Sequence, residues 1–398
     1  MRPSVRIDAG GGSGYPPGVT REFDVLVVGG GIAGASAAIA AARRGRRVAL
    51  LRAAPGATSL VAGGWRGPLP VGLGEALEAT ELALRPSPAP LPHPTGALVR
   101  ADLAPSAQLQ AAPVEGAIVC GIAGLAGFHA RTLAALWGDA AGVTLASATL
   151  RPDSPAPPAG WSPAALAAAL DRDPGLLARA LTDAVREHGA RRAILPAVLG
   201  LERGEAVRSA LADAAGVPVG EALGVPPSVP GWRLERAVSV ALAAGGVEVV
   251  AGRAVGRETD GRRIRAVLAR PAGGPDGARV RLAAEAVVLA TGKYLAGGIR
   301  AKGAFEEPVL GCYVRVEARG LVHEVPDTLA LTRRDRRAEH PLLLAGVWTD
   351  PDGRPLDRRG EVHYENVRVA GTVRAGVSAD ALGLGDAAAE GWAAGEAV

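Results

Sequence analysis

Gly29, Gly31 and Gly34 stand at G-x-G-x-x-G spacing, with Gly30 as an extra glycine and Ile32 and Ala33 ahead of the third. That pattern serves a phosphate. The first glycine permits a tight turn, the second lets backbone approach the phosphates, and the third lets a helix pack closely on a strand. A helix opening there aims backbone N–H groups and a partial positive charge at the anion. Alone the motif is a weak signal, and its flanking elements decide its weight.

Those elements are legible. Phe23–Val28 is a compact, mostly apolar run that suits a buried parallel strand. Ala35–Arg44 reads as an Ala-rich helix ended by Gly45, and Val48–Leu51 as a second strand. Together they predict a βαβ unit of about 30 residues. The tip of the second strand is Arg52, where a dinucleotide fold normally offers Asp or Glu to the ribose hydroxyls. A guanidinium accepts no hydrogen bond. Arg52 therefore points either to a phosphate partner, as in NADP recognition, or to a ligand such as FMN that ends in a single phosphate.

Small residues follow at Thr58-Ser59 and at Ala62-Gly63-Gly64. Such a segment suits a flat isoalloxazine ring and resembles the flavin-contacting segment of the fumarate reductase and succinate dehydrogenase flavoproteins. Ala57 stands where a His of that family can tether the flavin, so the resemblance implies a non-covalent flavin. Further on, Ala290-Thr291-Gly292 follows a buried run, Ala286–Ala290, and resembles the A-T-G motif of two-domain flavoproteins. Val367–Ala370, closed by Gly371 and followed by a helix over Asp386–Val398, resembles their last strand and helix.

Between these ends, Ser162-Pro163 and Asp173-Pro174 predict the starts of helices over Pro163–Leu170 and Pro174–His188. Ala193–Leu195 reads as a strand, and Glu205–Ala215 and Arg233–Ala244 as helices. Val247–Ala251, Arg262–Leu268 and Val280–Leu282 read as an antiparallel sheet, with a turn at Asp276-Gly277. Arg85–Pro94 and Pro152–Pro163 are Pro-rich and predict linkers or surface loops.

Composition narrows the classes. At 398 residues and 48% apolar, the chain can bury one large domain or two ordinary ones. The formal net charge of +4 is carried by scattered residues and by short runs at 43–47 and 333–337, which suit solvated faces rather than a nucleic-acid footprint. Cys120 and Cys312 lie far apart in apolar surroundings, which excludes an iron–sulfur cluster or structural zinc held by these residues alone. They read as core thiols of a reducing compartment. No metal ligand set is visible. Residues 1–20 form a Gly/Pro tail, expected to be disordered, without a signal-peptide core. Gly116–Gly127, the longest apolar stretch, is too short to span a membrane.

Several longer blocks resemble the B-subunit family of anaerobic glycerol-3-phosphate dehydrogenases. They are Leu195-Pro196-Ala197-Val198-Leu199-Gly200-Leu201-Glu202, Pro226-Pro227-Ser228-Val229-Pro230-Gly231-Trp232-Arg233-Leu234, Leu289–Gly298 and Glu307-Pro308-Val309-Leu310-Gly311. Gly346–Asp350 and Glu365-Asn366-Val367 add lesser agreement, and Arg52 fits a family that commonly lacks the ribose acid. The Pro-Pro-Ser block discriminates best. The resemblance departs at Ala375–Asp380 and Gly383–Asp386, and the chain stops early in its last helix, as a truncated or divergent relative would.

The resemblance implies an α/β fold: a Rossmann-like parallel-sheet flavin-binding domain with an inserted α+β substrate or cap domain. The expected segments are 21–155, 230–300 and 362–398 for the flavin domain, and 156–229 and 301–361 for the cap. It implies FMN, with FAD as the alternative, in a subunit that oxidises sn-glycerol 3-phosphate to dihydroxyacetone phosphate. Partners would be a catalytic flavoprotein subunit and an iron–sulfur, membrane-anchoring subunit passing electrons to quinone. That places the chain in the cytoplasm, at the inner face of the membrane, with no nucleic acid and no span of its own. Arg233, Arg300 and Lys302 are candidate ligands of the substrate phosphate, since cationic forks suit phosphate. His129 is a candidate base. Two other readings stay open at this point: a stand-alone FAD- or NADPH-dependent oxidoreductase, and a scaffold without cofactor.

Overall fold

The computed structural model describes residues 20–398 apart from 81, 109–113, 155, 158, 276, 319, 336–337, 339 and 378–382. The tail at 1–19, Asp276 of the expected turn and residues 378–380 of the expected C-terminal departure lie outside the described residues. Two compact units emerge: Met1–Gly56 with Leu242–Ala379 and Ala387–Val398, and Ala57–Ala241 with Asp380–Asp386. The chain thus divides after Gly56 and Ala241.

The first unit opens with β1 (Thr20–Val28), α1 (Ile32–Arg43) and β2 (Val48–Arg52). Leu26, Val27 and Leu50 are fully buried, as strands covered on both faces require. Helix α1 begins three residues before the expected start, so Ile32, Ala33 and Gly34 are its first turn.

The second unit is built on a four-stranded, all-parallel sheet of β3 (Ala117–Ile122), β4 (Ala146–Leu150), β5 (Arg192–Leu195) and β6 (Val219–Glu221), in the order β6-β5-β3-β4. The first half of the apolar stretch 116–127 is thus an interior strand, and Cys120 is buried in it. Helices Ala130–Ala141, Pro163–Arg172, Gly175–Glu187 and Gly204–Ala215 fall between the strands. Ser162 caps its helix by accepting from Ala165 N at 3.1 Å, the role its position before Pro163 predicts. The Pro-rich segment 85–94 carries short strands at Leu84–Pro86 and Leu91–Pro92.

The chain returns to the first unit with β7 (Glu248–Asp260), β8 (Arg263–Pro271), β9 (Val280–Leu289) and β10 (Val367–Val369). The two runs 280–282 and 286–290 are one strand. Its first half pairs antiparallel with β8, and it runs parallel to β1 along its length. The register sets Val28 beside both Leu51 and Leu289, so β1, β2 and β9 end level. Gly29 and Ala290 therefore leave the sheet beside Arg52, the last residue of β2, at the carboxyl ends of the strands, where parallel sheets bind ligands. Asn366 stitches this sheet: its side chain donates to the carbonyls of Ile264 and Glu285 and accepts from Ile264 N, each at 2.9 Å.

The last helix, Leu384–Glu396, lies tight on α1. A Cβ added at Gly391 would fall 2.0 Å from the Ala33 carbonyl oxygen, and one at Gly395 2.2 Å from that of Ala37. Ser36 Oγ donates to the Ala388 carbonyl at 2.7 Å.

Candidate functional site

Three chain ends meet around the glycine turn of the first unit. Gly29 N donates to the Leu51 carbonyl at 2.9 Å, and Ala290 N donates to the Val28 carbonyl at 2.8 Å. Gly29 has φ +119°, and a Cβ there would fall 2.2 Å from the Ala290 carbonyl oxygen. The A-T-G turn and the glycine turn therefore touch backbone to backbone. At Gly34 an added Cβ would stand 1.9 Å from the Gly29 carbonyl oxygen, so α1 can leave this turn only from glycine.

The start of α1 suits an anion. No side chain caps it at Gly31, and its first turn holds no acidic residue. Gly29 and Gly31 keep partial exposure. The stem of Arg52 lies over Gly30, where a Cβ would meet it at 2.8 Å, bringing a cation beside the turn. Gly56 approaches the Gly31 Cα, 2.9 Å from its added Cβ. Helix-start N–H groups, bare glycine backbone and a guanidinium are a donor set that fits a phosphate.

The far end of this unit closes on the same helix. Gly371, at φ +74°, turns the chain after β10, and its added Cβ would meet the Ala33 Cβ at 2.5 Å. Glu390 accepts from Gly371 N and from Arg374 Nη1, both at 2.9 Å. Thr291 Oγ1, in the A-T-G turn, is buried without a hydrogen-bond partner.

The sequence profile of the family described as "FAD dependent oxidoreductase" matches residues 24–231, which include the whole glycine turn. The chain belongs to the FAD-dependent oxidoreductase family. A Halobacterium salinarum protein (strain R1), named as the B subunit of a probable anaerobic glycerol-3-phosphate dehydrogenase, is 35% identical over 225 residues, 56% of this chain and 49% of that protein. The same figures hold for its counterpart in strain NRC-1. The chain thus spans about half the length of these curated relatives. Among solved structures, it overlays on a 3-ketosteroid-Δ4-(5α)-dehydrogenase from Rhodococcus jostii RHA1 with 14% identity and a TM-score of 0.39, covering 96% of this chain and 98% of that one. A flavocytochrome c3 fumarate reductase gives 11% identity and 0.40, covering 96% and 78%.

A flavin is the cofactor this family implies, and the glycine turn fits its phosphate. The segment expected against the ring lies in the second unit. Ala57–Leu60 is a short 3-10 helix with Thr58 buried and Ser59 half-buried. It is held from one block: Ser228 Oγ donates to the Val61 carbonyl at 2.5 Å and accepts from Gly231 N at 3.1 Å. Gly231 passes so close that a Cβ would sit 2.3 Å from the Ser59 carbonyl oxygen. Gly224 N and Gln108 Nε2 donate to the Ala62 carbonyl at 2.7 and 3.1 Å. The discriminating Pro-Pro-Ser block thus clamps the backbone of residues 59–61, and Gly224 and Gln108 hold Ala62.

Arg233, expected as a phosphate ligand, is committed elsewhere in this flavoprotein. Its Nη1 and Nη2 donate to the Glu221 carboxylate at 2.7 and 2.9 Å, and its Nε donates to the Gly200 carbonyl at 2.7 Å. Glu221 is fully buried and also accepts from Leu199 N. A buried carboxylate needs its counter-charge, which is why the guanidinium turns inward rather than to a ligand. Arg300 and Lys302 are exposed on one short strand of a hairpin, Arg300–Lys302 paired with Ala304–Glu306. His129 is exposed at the start of the Ala130–Ala141 helix.

Sequence reasoning missed Lys293, directly after the A-T-G turn. It is 5% exposed, and its Nζ donates to the Leu343 carbonyl. Burial pulls its pKa down to about 7, against the pull of Glu390 in the other direction. Both thiols are buried; burial pushes Cys120 up to about 12 and holds Cys312 far above the usual thiol range, so neither is a nucleophile. Among the described residues no cluster of His, Cys, Asp or Glu could hold a metal ion, and no helix is long and apolar enough to cross a membrane.

Proposed function

We propose that this chain is the flavin-binding subunit of a dehydrogenase that oxidises sn-glycerol 3-phosphate to dihydroxyacetone phosphate. Its electrons leave through an iron–sulfur partner that reaches quinone at the membrane, together with a second, catalytic flavoprotein subunit. The observation that carries the reading is the glycine-built start of α1, level with Arg52 and the A-T-G turn, in a chain whose named relatives are B subunits of such a dehydrogenase. Two isolated, buried thiols support a partner as the holder of any cluster.

Gly29–Gly34 would hold the flavin phosphate, with Arg52 as its counter-charge and Ala290-Thr291-Gly292 and Gly371 as the backbone that fixes the turn. Thr58, Ser59, Gly63 and Gly64 are the proposed ring contacts. The family description supports FAD. Arg52, in place of a ribose-binding carboxylate, supports FMN as the second reading. The flavin, once bound, supplies a two-electron acceptor for the hydride of a secondary alcohol. Arg300 and Lys302 are the exposed cations we assign to the substrate phosphate, and His129 is the base to test.

The test is anaerobic addition of sn-glycerol 3-phosphate to the purified chain, alone and with its partner subunits. The proposal expects the visible flavin bands to bleach with the phosphate ester and not with glycerol. An unchanged spectrum in every combination overturns it.

A further inference from the structure

Where β2 and β10 begin, the first unit holds a cleft of about 270 Å³. Three arginines line it, Arg46, Arg263 and Arg368, together with three carboxylates, those of Asp24, Glu285 and Glu365. The register explains why they meet. Val25 pairs with both Val48 and Ala286, and Val287 with Val367, so the residues just before these positions come level. Arg263 opens β8 beside them, where Asn366 ties Ile264 to Glu285. Ala397 and Val398, after the last helix, complete the lining. The glycine turn is at the other end of the same strands: β2 alone, from Val48 to Arg52, spans roughly 13 Å.

The charges in this cleft are held apart. Among the described residues none of its three guanidiniums forms an ion pair. Arg263 Nη2 donates to the Glu285 carbonyl at 3.4 Å, and Arg368 Nη1 to the carbonyls of Glu365 and Val367 at 3.4 and 3.2 Å. Arg46 bonds through its backbone N–H, to the Ala41 carbonyl at 3.3 Å. Asp24 accepts from Arg47 N at 2.7 Å, which fixes its carboxylate. Elsewhere in this unit arginines pair with nearby acids, Arg265 with Asp260 and Arg281 with Glu258. Here cations and carboxylates line one open volume without meeting.

Such a lining selects a ligand with two unlike ends. Guanidinium forks take the oxygens of a phosphate in pairs. Carboxylates accept hydrogen bonds from hydroxyls and repel a bare polyanion. The volume lies below the roughly 300–1,000 Å³ of sites for drug-sized ligands, so the ligand is small. We propose that this cleft binds a phosphate ester of a small polyol, its phosphate on Arg46, Arg263 and Arg368 and its hydroxyls on Asp24, Glu285 and Glu365. The site lies wholly within the first unit and does not rest on the flavin reading. sn-Glycerol 3-phosphate belongs to this class and serves as the probe.

The experiment treats the full chain with phenylglyoxal, which modifies accessible guanidiniums, and follows each arginine by peptide mass. Arg46 and Arg263 are exposed and open to the reagent. Saturating sn-glycerol 3-phosphate should slow modification of both roughly ten-fold, the factor that mass action gives at about ten times the dissociation constant. Glycerol should protect neither. Arg131, exposed on a helix of the second unit, should react at one rate throughout. No protection of Arg46 and Arg263 by the ester overturns the proposal. Equal protection by inorganic phosphate at the same concentration also overturns it, since the carboxylates would then read nothing. Stronger protection by phosphoethanolamine would show that they take an ammonium, and the polyol assignment fails. Arg300 is followed in the same digest, so failure of the substrate reading shows separately from failure of this one. The wild-type protein carries the whole test, and no variant has to fold.

Discussion

Arg233 spends both guanidinium amines on Glu221, at 2.7 and 2.9 Å, with the carboxylate fully buried and the guanidinium nearly so. Breaking such a pair from one side leaves a charge in low dielectric and costs about 3–5 kcal/mol, while replacing both partners by apolar residues of similar volume costs much less. Arg233→Ala and Glu221→Ala should each lower the unfolding free energy by about that amount in urea titrations. The double variant Arg233→Met with Glu221→Leu should lose clearly less than the sum. Additive losses would mean that the two residues do not share one buried network.

The contact between Gly34 and the Gly29 carbonyl predicts a local and functional failure. Gly34→Ala puts a methyl 1.9 Å from that oxygen, so α1 must shift off the turn. The expected cost is about 1–3 kcal/mol of overpacking, with loss of bound flavin. Gly45→Ala is the control. It has φ +79° but nothing within 4 Å, so it should cost about 1 kcal/mol and keep the flavin. Flavin content per chain and melting temperature, measured together, separate the two.

The glycine turn was legible because its chemistry is local. Spacing, strand and helix all lie within Phe23–Leu51, and each element appears within three residues of where the apolar pattern puts it. The helix over Arg233–Ala244 was also legible, and it starts four residues earlier, at Val229. What Arg233 does was not legible. Its partner Glu221 lies on a three-residue strand, and only folding brings that strand against the loop at Leu199-Gly200. The same holds for Glu307, whose buried carboxylate accepts from the backbone N–H groups of Val309, Leu310 and Cys312. The Glu-Pro-Val-Leu-Gly block thus carries a turn rather than a catalytic group. Gln108 and Lys293 escaped for a different reason: single polar residues in apolar runs announce nothing until burial and partners are known.

Lys293 gives a pH prediction. Its pKa falls to about 7 in the folded protein from an ordinary value of 10.5, so the unfolded chain binds more protons between those limits. Stability must therefore rise with pH across that window, and the penalty of the buried charge is fully present below pH 7. Lys293→Met should remove this share of the slope. Chemical denaturation of both proteins from neutral to alkaline pH checks it. Parallel curves would show that Lys293 does not titrate in this window.

Asp171 binds one loop through three backbone donors, Leu201 N at 2.8 Å, Glu202 N at 3.0 Å and Arg203 N at 2.9 Å. Asp171→Ala should cost about 1.5–3 kcal/mol in unfolding free energy. Hydrogen exchange should rise first at those three amides. Unchanged protection there would rule out the carboxylate as the anchor of this loop.

The account stands most directly on the purified protein's cofactor. Denaturing the full chain as isolated and weighing what it releases should give a flavin near one per chain, its mass reading FAD or FMN. A colourless protein that releases neither, and that takes up neither when both are supplied, would contradict the assignment of Gly29–Gly34 to a flavin phosphate.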